Sequence, residues 1–473
     1  MASLRRFSIV TVVGLLSFFS LPGQGYRITV RVLDLPSADL ILAHRFGMKF
    51  YTDDTVRTQG DGSALFSSGT LMPQGMYQIV FPDKKYIEFF LGDQQVFEIS
   101  TEASGSRDKI LFNGSPENTS FNRWQTRLSS IRSQSSSLQE KIRKGNLSAD
   151  SVQWVNKELR TLNAASNQIW ETALNELRGT VAGKFISGMK PIRMPDSLAS
   201  QRTQEGQMKQ YRYVREHFFD DVDLADERML RTPLIETKLD QYFNQVVPPY
   251  PDTIIRDAVT IIERSRSHPE VFHFVLQYLF NLYSDPKIMG TDAVYVYLAE
   301  NYYLKGQAPW IDSTNLKGIL VRVAELKPLL LGNMAPELSG LVNTDDIPVE
   351  IDTIKCEYLV LLFWDPGCSH CKIITPQLYQ EYQALKLIGC EIAAINTHAE
   401  KEPWIKFISE HHLDWYNLYS PLQYRQLIEQ YQVYTTPRIF VLDSDRKIAG
   451  KDLAVEQIKP FIEQIRASRS ERH

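Results

Sequence analysis

Hydrophobic and polar residues alternate strictly along Tyr26-Arg27-Ile28-Thr29-Val30-Arg31-Val32, the pattern of a strand with one face in a core. Similar short runs follow at Asp39 to His44, Lys49 to Tyr51, Met76 to Phe81, Lys85 to Leu91, Gln95 to Ile99 and Lys109 to Phe112. Turn-forming pieces separate them, among them Gln59-Gly60-Asp61-Gly62-Ser63 and Pro73-Gln74-Gly75. Strands at this spacing predict a small antiparallel β sandwich or barrel over residues 26–115. It holds no catalytic grouping, and a docking module and a plain spacer are equally good readings.

From Glu117 the hydrophobic period becomes helical. Phe121, Trp124, Leu128, Ile131, Leu138 and Ile142 share one face, and Val152, Val155, Leu159, Leu162, Ile169 and Leu177 share another. Between them, Lys144-Gly145-Asn146-Leu147-Ser148 supplies a glycine to end one helix and a serine to cap the next. A long antiparallel helical hairpin is predicted, with a solvated face rich in Ser, Arg and Gln. Shorter helices continue to about residue 330, broken at Val247-Pro248-Pro249-Tyr250-Pro251 and Ser284-Asp285-Pro286, so residues 116–330 read as all-α. Tyr295, Leu298, Tyr302 and Tyr303 form an aromatic stripe that reads as core, since no repeat of fixed period accompanies it. Asp220, Asp221 and Asp223 beside His217 lack ligand-like spacing and read as solvated surface.

The last part of the chain, residues 331–473, alternates strand and helix. The expected order is a strand at Tyr358 to Trp364, a helix from Cys371, a strand at Cys390 to Asn396, and helices near Pro403 to His411 and Leu422 to Tyr431. A strand at Arg438 to Leu442, a turn at Asp443-Ser444-Asp445-Arg446, a strand at Lys447 to Gly450 and a final helix from Val455 to Ile465 complete it. With 473 residues the chain is too long for one core, so a multidomain protein is expected. Its net charge of −4 gives no basic surplus to attract nucleic acid.

The first residues read as an export leader. Arg5 and Arg6 are the basic start, Phe7 to Leu21 the apolar run, and cleavage is expected near Gly25. An uncleaved anchor, tying the protein to a membrane, is the alternative, although the run is short for a full span. No cysteine follows the apolar run, which excludes a lipid-anchored lipoprotein. Export to a periplasm or cell envelope would place the thiols in an oxidising compartment.

Chemistry concentrates at Phe363-Trp364-Asp365-Pro366-Gly367-Cys368-Ser369-His370-Cys371-Lys372. A buried strand leads into a Cys-x-x-Cys that opens a helix. A thiolate at a helix N-terminus faces unpaired N–H groups and the positive end of the dipole, which makes Cys368 the attacking thiol and Cys371 the resolving one. Zinc would need two further ligands at matching spacing, and the remaining cysteines, Cys356 and Cys390, stand alone. These two read either as a structural disulfide or as two small buried residues. No metal or cofactor is required by dithiol chemistry.

Three motifs in order carry a resemblance. Cys371-Lys372-Ile373-Ile374-Thr375-Pro376 is similar to the thioredoxin active-site helix with its proline, and Tyr434-Thr435-Thr436-Pro437-Arg438-Ile439-Phe440-Val441 to the segment that bears its cis-proline. Leu331-Gly332-Asn333-Met334-Ala335-Pro336-Glu337-Leu338 looks like the lead-in of the exported TlpA/ResA-type thioredoxin-like proteins. The wider layout resembles exported members with an N-terminal β domain and a helical middle. The resemblance implies a thioredoxin fold with an inserted helix and a cis bond before Pro437. It also implies thiol–disulfide exchange with proteins of the envelope, served by an unidentified redox donor. Trp364, Ser369, His370, Thr436 and Pro437 would then bind substrate or tune the site, His370 by stabilising the Cys368 thiolate.

The chain departs from the pattern at three places. Leu362 stands where thioredoxin has a buried carboxylate, Gly367 where a tryptophan precedes the first cysteine, and Arg438 where a threonine follows the proline. Glu400 or Glu402 is then a candidate proton acceptor for Cys371, and Arg438 could favour the thiolate or an acidic substrate. The favoured function is a thiol:disulfide oxidoreductase, reduction ahead of oxidation or isomerisation. Its rivals are a non-enzymatic binding protein with an inert structural disulfide and a peroxide-reducing relative.

Overall fold

The computed structural model describes residues 25–470 apart from 146, 399, 422 and 423. All but the last residue of the expected leader lies outside these, as does the expected helix start at Leu422. Two compact units divide the chain, Met1–Gln245 and Val246–His473, and the helices between 116 and 330 are shared between them.

In the first unit the strands are β1 (Arg27–Val32), β2 (Asp39–Phe46), β3 (Lys49–Arg57), β4 (Ser63–Ser67), β5 (Gly75–Val80), β6 (Tyr86–Leu91), β7 (Val96–Thr101) and β8 (Leu111–Asn113). They form two four-stranded sheets, ordered β4-β1-β7-β8 and β3-β2-β5-β6. Ile28, Val30 and Val32 from one sheet meet Leu40, Leu42, Ile79 and Phe89 from the other in one buried core, so the alternation becomes a sandwich. Every strand pair is antiparallel except β1 and β7, which run parallel. Strand β3 is longer than expected because its sequence, KFYTDDTVR, is exposed along most of both faces and shows no alternation.

Helices α1 (Pro116–Arg143) and α2 (Ala149–Glu176) form the predicted hairpin. Gly145 adopts φ +72°, and the Ser148 side chain accepts from the N–H of Ser151, as the ending and capping roles require. Phe90 of edge strand β6 packs edge-on against Phe121 of α1, with ring centroids 4.8 Å apart. The buried Asn118 side chain serves both backbone groups of Phe90, accepting from its N–H at 2.7 Å and donating to its carbonyl at 2.9 Å. An open sheet edge is thereby closed. Helices α3 (Val181–Met189), α4 (Asp196–Ala199), α5 (Gln204–Glu216) and α6 (Leu234–Gln241) complete the unit. His217 Nδ1 lies 2.5 Å from Asp220 at an exposed position.

The second unit begins with α7 (Pro251–Ser265), α8 (Pro269–Leu282), α9 (Asp292–Leu298) and α10 (Ser313–Leu326). A π-turn at Ala299–Tyr303 widens the chain after α9 and lets the adjacent Tyr302 and Tyr303 both turn inward. Phe280 stacks on Tyr295 at 4.5 Å and on Tyr303 at 4.2 Å, so the aromatic stripe is core.

Then come β9 (Tyr358–Trp364), α11 (Ser369–Leu387), β10 (Cys390–Asn396), α12 (Lys401–His411), β11 (Tyr416–Tyr419), α13 (Tyr424–Gln430), β12 (Arg438–Leu442), β13 (Ile448–Lys451) and α14 (Val455–Ser470). The sheet order is β11-β10-β9-β12-β13, with β9, β10 and β11 parallel and β12 and β13 antiparallel to their neighbours. Central β9 is buried along its whole length, as an all-apolar strand with both faces covered must be. Strand β11 was not legible, being four residues long with one inward apolar side chain, Leu418. At the other edge Lys451 of β13 is buried, its Nζ 2.5 Å from Asp292 of α9 and 2.6 Å from the Leu329 carbonyl.

Candidate redox site

Strand β9 ends at Trp364, the chain turns through Asp365-Pro366-Gly367, and Cys368 caps the N-terminus of α11. The turn is held by Asp365, whose Oδ1 accepts from the N–H of Gly367 at 2.6 Å. A Cβ at position 367 would stand 3.0 Å from that oxygen, which accounts for glycine where the resembled proteins carry a bulky residue.

The two thiols differ in burial and hydrogen bonding. Cys368 is half-buried, and its Sγ donates to the Thr436 carbonyl at 3.3 Å. Burial acts to raise its pKa; the N–H of Cys371, the Thr436 side chain, the Cys371 thiol and the N–H of His370 outweigh this and leave it below the ordinary thiol range. Cys371 is fully buried, and burial first, with the neighbouring Cys368 thiol, pushes it up to about 11 despite an N–H from Asp365 at 3.5 Å. After full reduction, iodoacetamide at neutral pH should modify Cys368 and spare Cys371, which should react only as pH approaches about 11. Peptide mass spectrometry would read this, and equal labelling at neutral pH would contradict the asymmetry.

The other expected residues scatter in role. The Thr436–Pro437 bond is cis, and both residues lie partly exposed beside Cys368. Ser369 and His370 are exposed on the first turn of α11. Trp364 is fully buried against Phe407, centroids 5.0 Å apart, so its indole faces the core rather than a bound substrate. Leu362 is core, so no carboxylate sits at its position. Glu400 and Glu402 are exposed around the start of α12. Arg438 is not free to meet a substrate: it donates to the Gln432 carbonyl, pairs with Asp452 at 3.2 Å and lies over the Phe440 ring. Cys356 and Cys390 are free thiols. Arg446 donates to Cys356 Sγ at 3.5 Å, while burial, then Cys356, pushes Cys390 up to about 12.

Residues 356–448 match the thioredoxin-like family model Thioredoxin_8. The chain is 27% identical over 120 residues to the thiol-disulfide oxidoreductase ResA of Bacillus subtilis, a match covering 25% of this chain and 64% of that one. The C-terminal domain is thioredoxin-like and similar to the TlpA/ResA type, and the chain spans less than two thirds of that ResA. A crystallised domain of a possible thiol-disulfide isomerase from Cytophaga hutchinsonii is 30% identical, matching 30% of this chain and 98% of that one, with a TM-score of 0.29. A thioredoxin-like protein from Bacteroides caccae is 18% identical over 58% of this chain and 97% of that one, with a TM-score of 0.45. Residues 186–326 match a domain of unknown function, DUF5106.

One group near the thioredoxin-like site was not legible from spacing. The N–H and hydroxyl of Thr397 both donate to the Trp364 carbonyl, at 2.9 and 3.1 Å, pinning the end of β10 beside the redox turn. His398 is thereby brought up to Asp365, with Nδ1 to Oδ1 at 3.2 Å. A histidine two residues beyond a strand end carries no local pattern; only the parallel pairing of β9 with β10 makes it a neighbour.

Proposed function

We propose that this chain is an exported thiol–disulfide oxidoreductase that exchanges disulfides with envelope proteins through Cys368 and Cys371, chiefly as a reductase. The supporting observation is the opposed pair of thiols: one half-exposed at a helix N-terminus and lowered, the other buried one turn on and raised to about 11. Cys368 attacks a substrate disulfide as thiolate, a mixed disulfide forms, and Cys371 releases it as a reduced product. The cis-proline segment, with Thr436 and Pro437 beside Cys368, lies where a substrate backbone can run past the sulfur. A separate donor must return the oxidised pair to dithiol. The family supports an extracytoplasmic setting, and the leader-like first residues support export. Among the described residues no helix is long and apolar enough to cross a membrane.

The test is the equilibrium reduction potential against thiol buffers. With Ser369 and His370 between the cysteines it should fall between about −270 mV, thioredoxin's value, and about −120 mV, that of the strongest oxidants of this kind. His370→Pro should lower it toward the thioredoxin end, since proline removes the backbone N–H of residue 370 that supports the Cys368 thiolate. A pair that does not exchange with glutathione or dithiothreitol would rule out the oxidoreductase reading.

A further inference from the structure

Resolution of a mixed disulfide requires Cys371 to lose its proton. With a pKa of about 11, only about one Cys371 in ten thousand is ionised at neutral pH. The family's buried carboxylate is absent, since Leu362 is part of the apolar core. Glu400 and Glu402 are exposed, and neither contributes to either sulfur's hydrogen bonds.

We propose that Asp365 and His398 form the proton relay of the resolving cysteine. Asp365 is the residue whose N–H touches Cys371 Sγ, and its carboxylate hangs from the same backbone position. That carboxylate is held in place by the N–H of Gly367 and lies 3.2 Å from His398 Nδ1. His398 is fixed in turn: its N–H donates to Oδ1 of the buried Asn396 at 3.0 Å, and Thr397 clamps the loop to the Trp364 carbonyl. The imidazole is about one-third exposed, so the pair connects a buried thiol to solvent. The remaining charged groups around it are spoken for or point outward. Lys401 pairs with Asp346 and Arg438 with Asp452, while His370, Lys372, Glu400 and Glu402 are exposed.

The step rests on the exchange reading above and balances as follows. The Cys371 proton passes to the Asp365 carboxylate and on to His398 and solvent. The Cys371 thiolate attacks Cys368 Sγ of the mixed disulfide, the Cys368–Cys371 bond forms, and the Cys368–substrate bond breaks. The substrate leaves as a thiolate and takes a proton from water. The substrate disulfide is reduced and the enzyme dithiol oxidised.

An aromatic disulfide such as Ellman's reagent separates the two half-steps in the full-length reduced protein, in a Cys356→Ala background. The first release of coloured thiolate reports attack by Cys368, the second reports resolution by Cys371. Asp365→Asn keeps an oxygen for the Gly367 N–H and should slow the second release by about tenfold or more at neutral pH, leaving the first within about threefold. His398→Gln, which leaves the Asp365 turn untouched, should act in the same direction. Both deficits should shrink as pH rises toward the point where Cys371 ionises unaided. Glu402→Gln should change neither release. An unchanged second release, equal slowing of both releases at every pH, or a slowed second release in Glu402→Gln would each overturn the relay. Absence of the first release in the Cys356→Ala parent would instead overturn the exchange reading itself.

Discussion

Replacing Cys371 by serine is expected to stop turnover while leaving Cys368 able to attack, so that substrate proteins remain bound to Cys368 as mixed disulfides. The expectation follows from the division of labour between the sulfurs. Cys368 has the N–H groups of the first turn of α11 to support its thiolate, whereas Cys371 is fully buried in the same core cluster as Trp364, Leu378 and Trp404. Cys368→Ser should abolish attack and trapping together. Each loss should be about 10³-fold or more in turnover, equivalent to about 4 kcal/mol of barrier. Non-reducing gels and insulin-type reduction assays would read both. A Cys371→Ser protein that turns over at the normal rate would mean that resolution comes from an external thiol.

Lys451→Met is expected to destabilise the second unit by about 3–5 kcal/mol, because it leaves the buried Asp292 side chain without its Lys451 partner. Both side chains of that pair are nearly sealed from water, at 7% and 4% exposure. The Lys451 ammonium also serves the Leu329 carbonyl, so its loss orphans an acceptor as well. At this unit's size the change corresponds to a fall in melting temperature on the order of 10 °C. Replacing both partners, Lys451→Met with Asp292→Leu, should recover much of the loss, since no buried charge then remains. Thermal denaturation of the single and double variants checks this. A single variant as stable as the parent would show that water reaches the pair. The pair joins α9 to edge strand β13, so the helices from residue 251 onward are part of the structural support of the thioredoxin-like sheet. Reading by composition alone places them with the rest of the helical middle.

Legibility followed the range of the physics involved. The hairpin of α1 and α2 could be read because helical periodicity, the Gly145 ending and the Ser148 cap are all local to a few residues. Strand β9 could be read because burial on both faces demands an unbroken apolar run. The Cys-x-x-Cys and the proline of the facing segment declared themselves for the same reason: the chemistry needs fixed residue types at short spacing. Strands β3, β4 and β11 were underestimated or missed because they are short, or polar on both faces, and their existence depends on a neighbour offering a hydrogen-bonding edge.

The sequence by itself therefore determined the succession of β, α and α/β segments and placed the Cys368-Ser369-His370-Cys371 motif at a strand-to-helix junction. Each rests on interactions within one element or one turn. Tertiary structure alone decided that Arg438 is tied to Gln432 and Asp452, that Trp364 faces the core, that Lys451 is locked to Asp292, and that His398 meets Asp365. These are meetings of residues 6 to 159 positions apart or outcomes of packing, set by which strands pair and which faces are covered. A polar side chain in the linear chain carries no mark of the partner that folding will bring to it.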